Sequence, residues 1–380
     1  MFQQPGKTYE KGAEVDILRP LMGKGLFTNT GEDWKKQRQL AQPTFHKDKI
    51  RIFARYIEEI TRDQIDQWKP HAQNGSVVNV STDMMNLALR IVLKALFGSD
   101  TAASDIEEVR LAFAETIRHS ERRGTSLLRA LDFVPLLGRY RVGQKMIDHL
   151  PTPAQRRFQK SLQVLDKIVY RVIAQRRTQT GERTDLLTLF LHSGLNDLQL
   201  RDEIVTLLIA GHETTAITLA WSFELLCRYP QWEAKGQDPE IAVRIFRETL
   251  RLYPPLWRMA RVAQTDTELG GYFIPTNTIM VAAPYLIHRI PEYWPDPENF
   301  DPDRFLPENE QGRPPSLYFP FGLGPRTCIG NHFALMEGQI AISMILKNFR
   351  FQQVSPGQTG INPGVTLRPD RDISLQIRPR

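Results

Sequence analysis

The 380-residue chain carries 49 lysines and arginines against 43 aspartates and glutamates, a formal net charge of +6, and 41% of its residues are hydrophobic. That is enough to bury a large core and argues against disorder. The basic residues are dispersed, with no long basic tract or interleaved aromatic array, so a patch for an acidic protein partner is a better use of the surplus than nucleic acid.

The two cysteines, Cys227 and Cys328, are too few for a disulfide framework or a four-thiolate zinc site, which fits a reducing compartment. The opening MFQQPGKTYEKG has no basic leader followed by an apolar stretch. GEDWKKQRQLAQPTF then puts Trp34 and Arg38 four apart on one face of an early helix, by itself an ordinary amphipathic pair. Apolar residues at three and four spacing in IRIFARYIEEITRDQIDQW, NLALRIVLKALFG and FQKSLQVLDKIVYRVIAQRR predict further helices, with KPHAQNG and RTQTGERTD as separators.

RDEIVTLLIAGHETTAITLAWSFELLCRYP predicts a helix of roughly 30 residues, roughly 45 Å long. Glu213 inside it makes a buried core helix a better reading than a membrane span. Gly211 costs up to about 1 kcal/mol relative to alanine, and the Thr214 hydroxyl competes for backbone carbonyls, so the helix is expected to loosen here. Taken alone, AGHETT is either an incidental polar patch or a hydroxyl and carboxylate able to pass protons beside a dry pocket. No second histidine follows at zinc-helix spacing.

ETLRLYPP sets Glu248 and Arg251 three apart on a helix that Pro254 ends; an exposed pair of this kind is worth only about 0.3–0.5 kcal/mol. From Gly270 the texture changes. GGYFIPTNTIMVAAPYLIHR predicts two short strands about a turn. IPEYWPDPENFDPDRFLPENEQGRPPS is an irregular stretch whose aromatics favour pinning over disorder. A last helix, NHFALMEGQIAISMILKNF, and a hairpin in GVTLRPDRDISLQIRP follow. With no internal repeat and no strong linker, residues 1–380 read as a single domain.

FGLGPRTCIG places Cys328 just before that last helix, where unpaired N–H groups and the helix dipole favour a thiolate over a thiol of ordinary pKa near 8.5. Gly322, Gly324 and Gly330 would let the backbone fold back on the sulfur, Pro325 restricts the turn, Phe321 covers one side, and Arg326 offers a fixed cation. On these residues alone a small buried thiol, a nucleophile and a metal ligand all remain open.

The spacing F-x-x-G-x-R-x-C-x-G, met by Phe321, Gly324, Arg326, Cys328 and Gly330, resembles the heme-binding loop of the cytochromes P-450, the heme-thiolate monooxygenases. The other three motifs follow the family's order and extend the resemblance over nearly the whole chain. It implies a mainly α fold of P-450 type, with a large helical region, a smaller strand-rich lobe, and heme between the long distal helix and the cysteine loop. Cys328 would ligate the iron of heme b, with Phe321, Gly322 and Gly330 around it and Ala210 and Gly211 on the opposite face. Thr214 would hold the oxygen-bound hydrogen-bond network and Glu213 would feed it protons. Trp34, Arg38, Arg261 and Arg326 would meet the propionates, and Glu248 and Arg251 would be joined by Arg304 of PDRF in a buried structural triad. Leu207, Leu208, Leu256, Trp257 and Met259, with Ala210, fall in pocket regions suited to a fatty acid or terpenoid, and Arg258 would hold either a propionate or a substrate carboxylate.

The implied reaction inserts one atom of O2 into a C–H or C=C bond. Its electrons would come from NAD(P)H through a separate ferredoxin, flavodoxin or reductase, with Lys35, Lys36, Arg326 and Lys347 as candidates for the basic docking surface. A cytoplasmic location goes with this reading. Peroxide-driven or rearranging chemistry and a non-catalytic heme-thiolate sensor are the alternatives. Only 33 residues precede Trp34, so part of the family's usual N-terminus reads as missing: either the start is truncated or the fold tolerates a missing edge, which would expose apolar sheet surface. CRYPQWEAKGQDPEIAVRIFRETL is likewise brief where the family places additional helix.

Overall fold

The computed structural model describes residues 2, 8–46, 50–98, 103–124, 126, 146–147, 152–178, 185–354 and 357–380. The apolar periodicities become eight principal helices among them. They are α1 Gly31–Ala41, α2 Ala54–Gln73, α3 Val80–Phe97, α4 Ala103–Gly124, α5 Pro153–Thr178, α6 Asp197–Arg228, α7 Pro239–Leu252 and α8 Asn331–Asn348. KPHAQNG separates less than expected, because α2 runs through Pro70 and ends at an Asn74 cap. The separator RTQTGERTD begins in the last turn of α5, and residues 179–184 of it lie outside the described residues.

The chain divides into two compact units, one of Met1–Glu10, Ala41–Ala95 and Ala210–Arg380, the other of Lys11–Leu40 and Leu96–Ile209. In the first, α2, α3, the second half of α6, α7 and α8 share one apolar core that includes Trp68, Trp221, Phe223 and Phe246. Trp221 stacks flat on Tyr253 with ring centroids 3.9 Å apart. Gly338 lets α8 approach α7, since a Cβ there would lie 2.4 Å from the Phe246 ring. In the second unit α4 and α5 pack together, His119 stacking on Phe158 at 4.4 Å. The buried Arg176 side chain there pairs with Asp185 and donates to the Phe97 carbonyl at 2.8 Å.

Ten short strands are described: β1 Tyr9–Glu10, β2 Val77–Asn79, β3 Met259–Ala263, β4 Thr267–Leu269, β5 Tyr272–Ile274, β6 Ile279–Ala282, β7 Phe349–Gln353, β8 Ile361–Pro363, β9 Leu367–Pro369 and β10 Ser374–Pro379. They form antiparallel sheets ordered β1-β3-β6, β2-β10-β7, β4-β5 and β8-β9. The two strands expected around the Pro275 turn exist, but β5 pairs with β4 and β6 with β3. The C-terminal hairpin is corrected in the same way: β9 pairs with β8, and β10 lies between β2 and β7. Alternation predicts a strand and not its partner, which is chosen by the apolar face each strand must bury.

Candidate functional site

The cysteine loop closes through its own backbone. Gly322 and Gly324 have φ of 78° and 71°, the left-handed region where a side chain is strained. They frame a tight turn in which the Thr327 N–H donates to the Gly324 carbonyl at 3.0 Å and the Cys328 N–H to the Phe321 carbonyl at 2.8 Å. Gly330 does not share this role: it caps α8 with φ of −91°, and a Cβ there would sit 4.0 Å from the Cys328 sulfur, an ordinary contact. Cys328 is exposed three residues before α8 begins, and Phe321, Ile329 and Phe333 in the same segment are half-buried. Cys227 is its opposite, since burial pushes that thiol up to about 12 and keeps it protonated at neutral pH.

Helix α6 stays helical through AGHETT, so the expected loosening does not occur. The Thr214 hydroxyl donates to the Ala210 carbonyl one turn back at 2.8 Å, and Thr218 repeats this to Thr214 at 2.8 Å. The polar notch is instead one of exposure. In a helix whose most apolar window is 83% buried, Ala210 is exposed and Gly211 and Thr214 are half-exposed. Glu213, one position before Thr214, turns into the protein, where its carboxylate accepts from the Thr366 hydroxyl at 2.7 Å and the Arg368 Nε at 2.8 Å. A cleft lined by Arg368, Ser81, Met85, Ala216 and Ile217 opens beside this pair and shares no residue with the cysteine loop.

Glu248, Arg251 and Arg304 come together. Arg251 grips Glu248 with two N–H donors at 2.7 and 2.8 Å, both side chains at 0% exposure, and Arg304 approaches the same carboxylate at 3.4 Å. Arg251 spends its remaining donors on the carbonyls of His288, Pro297 and Asn299, and the Asp301 N–H donates to Glu248. The proline-rich stretch is therefore pinned by its backbone, as its aromatics led one to expect. Removing one member of such a buried pair costs about 3–5 kcal/mol.

The remaining candidates divide between the units. Met259 borders the loop, its sulfur 3.6 Å from where a Gly322 Cβ would stand. Leu256 and Trp257 are half-buried, Trp257 donating to the Gly364 carbonyl at 3.1 Å, and exposed Arg258 lies 4.9 Å over the Trp257 ring. Arg261 is buried on β3, its guanidinium 4.8 Å over the Phe2 ring. Trp34 is buried and Arg38 half-exposed on α1, which with buried Leu207 and Leu208 belongs to the other unit. As a docking cation Arg326 is corrected: its side chain is 6% exposed and faces Glu10 at 3.3 Å. Lys347, Lys35 and Lys36 are exposed, Lys35 beside Glu32.

Sequence reasoning missed Thr366, Arg368 and His288, which reach the site from more than thirty positions away along the chain. No local spacing signals them; only the pairing of β8 with β9 and the packing of the proline-rich stretch bring them in.

An exposed cysteine on a glycine-framed turn, apolar side chains left half-covered around it, and a buried helix laid open at three small or hydroxylated positions together suit a flat, mostly apolar cofactor bound through sulfur. The cytochrome P450 family model matches residues 3–375. The chain belongs to the cytochrome P450 family, and with it to the heme-containing monooxygenases. It is 32% identical to cyclooctat-9-en-7-ol 5-monooxygenase of Streptomyces melanosporofaciens, over 93% of this chain and 78% of that protein. It is 29% identical to pentalenene oxygenase of Streptomyces avermitilis, over 97% and 80%. The crystal structure of the cytochrome P450DA heme domain superposes with a TM-score of 0.83 at 26% identity, covering 98% of this chain and 84% of that one.

Proposed function

We propose that this monooxygenase oxidises a compact terpenoid at a C–H or C=C bond, with heme b held by Cys328. When bound, the heme would supply oxygen activation, and the Cys328 thiolate would be the electron-rich ligand that holds it. Phe321, Gly322 and Gly330 would line its cysteine side, and Ala210, Gly211 and Thr214 its other face. The opening of the buried middle of α6 at Ala210, Gly211 and Thr214 is the observation that carries this reading.

Thr214, its hydroxyl donating to Ala210, would accept a hydrogen bond from a proton-bearing water in the pocket. Glu213, one residue before it, would resupply protons from solvent past Arg368, whose side chain is partly exposed beside the cleft. Arg261 and Arg326 would meet the propionates, since carboxylates removed from water need cations or N–H donors. Leu256, Trp257 and Met259 would form the apolar wall around the substrate, and exposed Arg258 would anchor a carboxylate if the substrate has one. Residues 1–380 would act as one P450 domain in the bacterial cytoplasm, with electrons from NAD(P)H through a separate redox partner docking near Lys347.

A spectral titration tests the substrate class. Polycyclic terpene alcohols should shift the heme from low to high spin at micromolar concentration, while a fatty acid binds more weakly and loses its residual binding in Arg258→Ala. Tighter binding of fatty acids would reject the terpenoid assignment, and equal losses of both ligands in that variant would reject the anchoring role of Arg258.

A further inference from the structure

His288 is fully buried at the end of the short helix Pro284–Ile287, and it touches both the ion pair and the chain leading into the cysteine loop. On one side it is joined twice to Arg251: the Arg251 guanidinium donates to the His288 carbonyl at 2.9 Å, and the imidazole Nδ1 lies 3.3 Å from the Arg251 carbonyl. On the other side, Nε2 accepts the Phe319 N–H at 3.0 Å. Because Nε2 is an acceptor, the proton must sit on Nδ1, and a neutral imidazole is the side chain that carries one donor and one acceptor on a rigid ring. Burial agrees, pushing the imidazole down to about 3. The ring is walled by Tyr318 and Phe319, with centroids at 5.3 and 5.5 Å.

From Phe319 the connection reaches the sulfur-bearing residue in two further hydrogen bonds. The Gly322 N–H donates to the Phe319 carbonyl at 3.0 Å, and the Cys328 N–H donates to the Phe321 carbonyl at 2.8 Å. Tyr318 is tied separately, its hydroxyl donating to the Arg247 carbonyl of α7 at 2.9 Å. We propose that His288 is a positioning residue for Cys328: it carries the rigidity of the Glu248–Arg251 pair to the first turn of the cysteine loop through the Phe319 amide. The proposal rests on Cys328 as the heme ligand only for its spectroscopic consequence; the hold on the loop belongs to the polypeptide itself.

Three variants separate this from a general contribution to folding. His288→Phe fills the space and removes both bonds. His288→Asn keeps a donor near the Nδ1 position and loses the reach to Phe319. His288→Gln keeps an acceptor for the Phe319 N–H. Amide hydrogen exchange over residues 319–328, measured in heme-free and heme-loaded protein, should speed up at least tenfold in the Phe and Asn variants, with α2 and α3 unchanged. In the loaded variants, the main band of the reduced carbon-monoxide complex should move largely away from its thiolate position. His288→Gln should recover most of both signals.

If the Phe or Asn variant loads heme with an unchanged band and unchanged exchange over 319–328, the proposal is wrong. It is equally wrong if exchange rises uniformly across the protein, or if Gln rescues nothing. A wild-type protein without a thiolate band would instead overturn the heme assignment, while exchange in the heme-free protein would still decide what His288 holds.

Discussion

At the scale of single residues, burial and backbone contact decide which titratable groups act. Cys227 and Cys328 are the same chemical group, yet Cys227 is held as a thiol while Cys328 stands open before a helix start. Glu203 shows the same principle in the other unit. Three successive residues of α6 hold the backbone of residues 21–26: Arg201 donates to the Leu21 carbonyl at 2.8 Å, Asp202 accepts the Lys24 N–H at 2.8 Å, and Glu203 accepts the Leu26 N–H at 3.1 Å. Burial raises the Glu203 carboxyl to about 7, the neighbouring Asp202 charge adding to the shift. A carboxyl raised on folding disfavours the folded state increasingly as pH climbs from its unfolded value near 4.5 through 7, and has no effect below that window. Glu203→Gln should therefore stabilise the protein by about 2–3 kcal/mol at pH 8 and leave it unchanged at pH 4; denaturant melts at the two pH values check the sign. Glu213→Gln removes the proton supply assigned to that side chain, and turnover should fall by about a hundredfold. Substrate-induced spectral shifts should stay unchanged, and a fall in substrate affinity alone would contradict the assignment.

At the scale of elements, the loop glycines differ in what they can lose. Gly322→Ala must place a side chain at φ of 78° and should cost about 1–2 kcal/mol, whereas Gly330→Ala, at φ of −91°, should leave the melting temperature nearly unchanged. Equal costs in thermal melts would contradict the turn geometry. The helices were legible because apolar spacing is written locally: α6 was expected as roughly 30 residues and is 32 long. The meeting of Glu248 with Arg251 was also legible, since three residues along a helix are one face. Strand partners were not, because β5 and β6 follow one another in sequence and pair elsewhere. Nor was the companionship of Glu213, whose partners Thr366 and Arg368 lie some 150 residues on. A chain pattern shows which side chains seek burial and leaves open which distant backbone will meet them.

At the scale of the whole molecule, the family assignment and the structure agree on a mainly helical protein with small antiparallel sheets. The edge strand β6 exposes Ile279 at 58% and Val281 at 54%, and the nearby hairpin exposes Tyr272 and Phe273. An apolar, unpaired edge invites pairing with another chain, so Val281→Lys should lower the aggregated fraction in light scattering without altering the heme spectrum; unchanged aggregation would show that this edge is not the cause. The proposed function depends on Cys328 binding heme iron, and the absorbance of the reduced, carbon-monoxide-bound protein tests this most directly. The account predicts a main band displaced far to the red of that given by histidine ligation, and its loss in Cys328→Ser. A wild-type protein that takes up no heme, or a serine variant that keeps the same band, would contradict it.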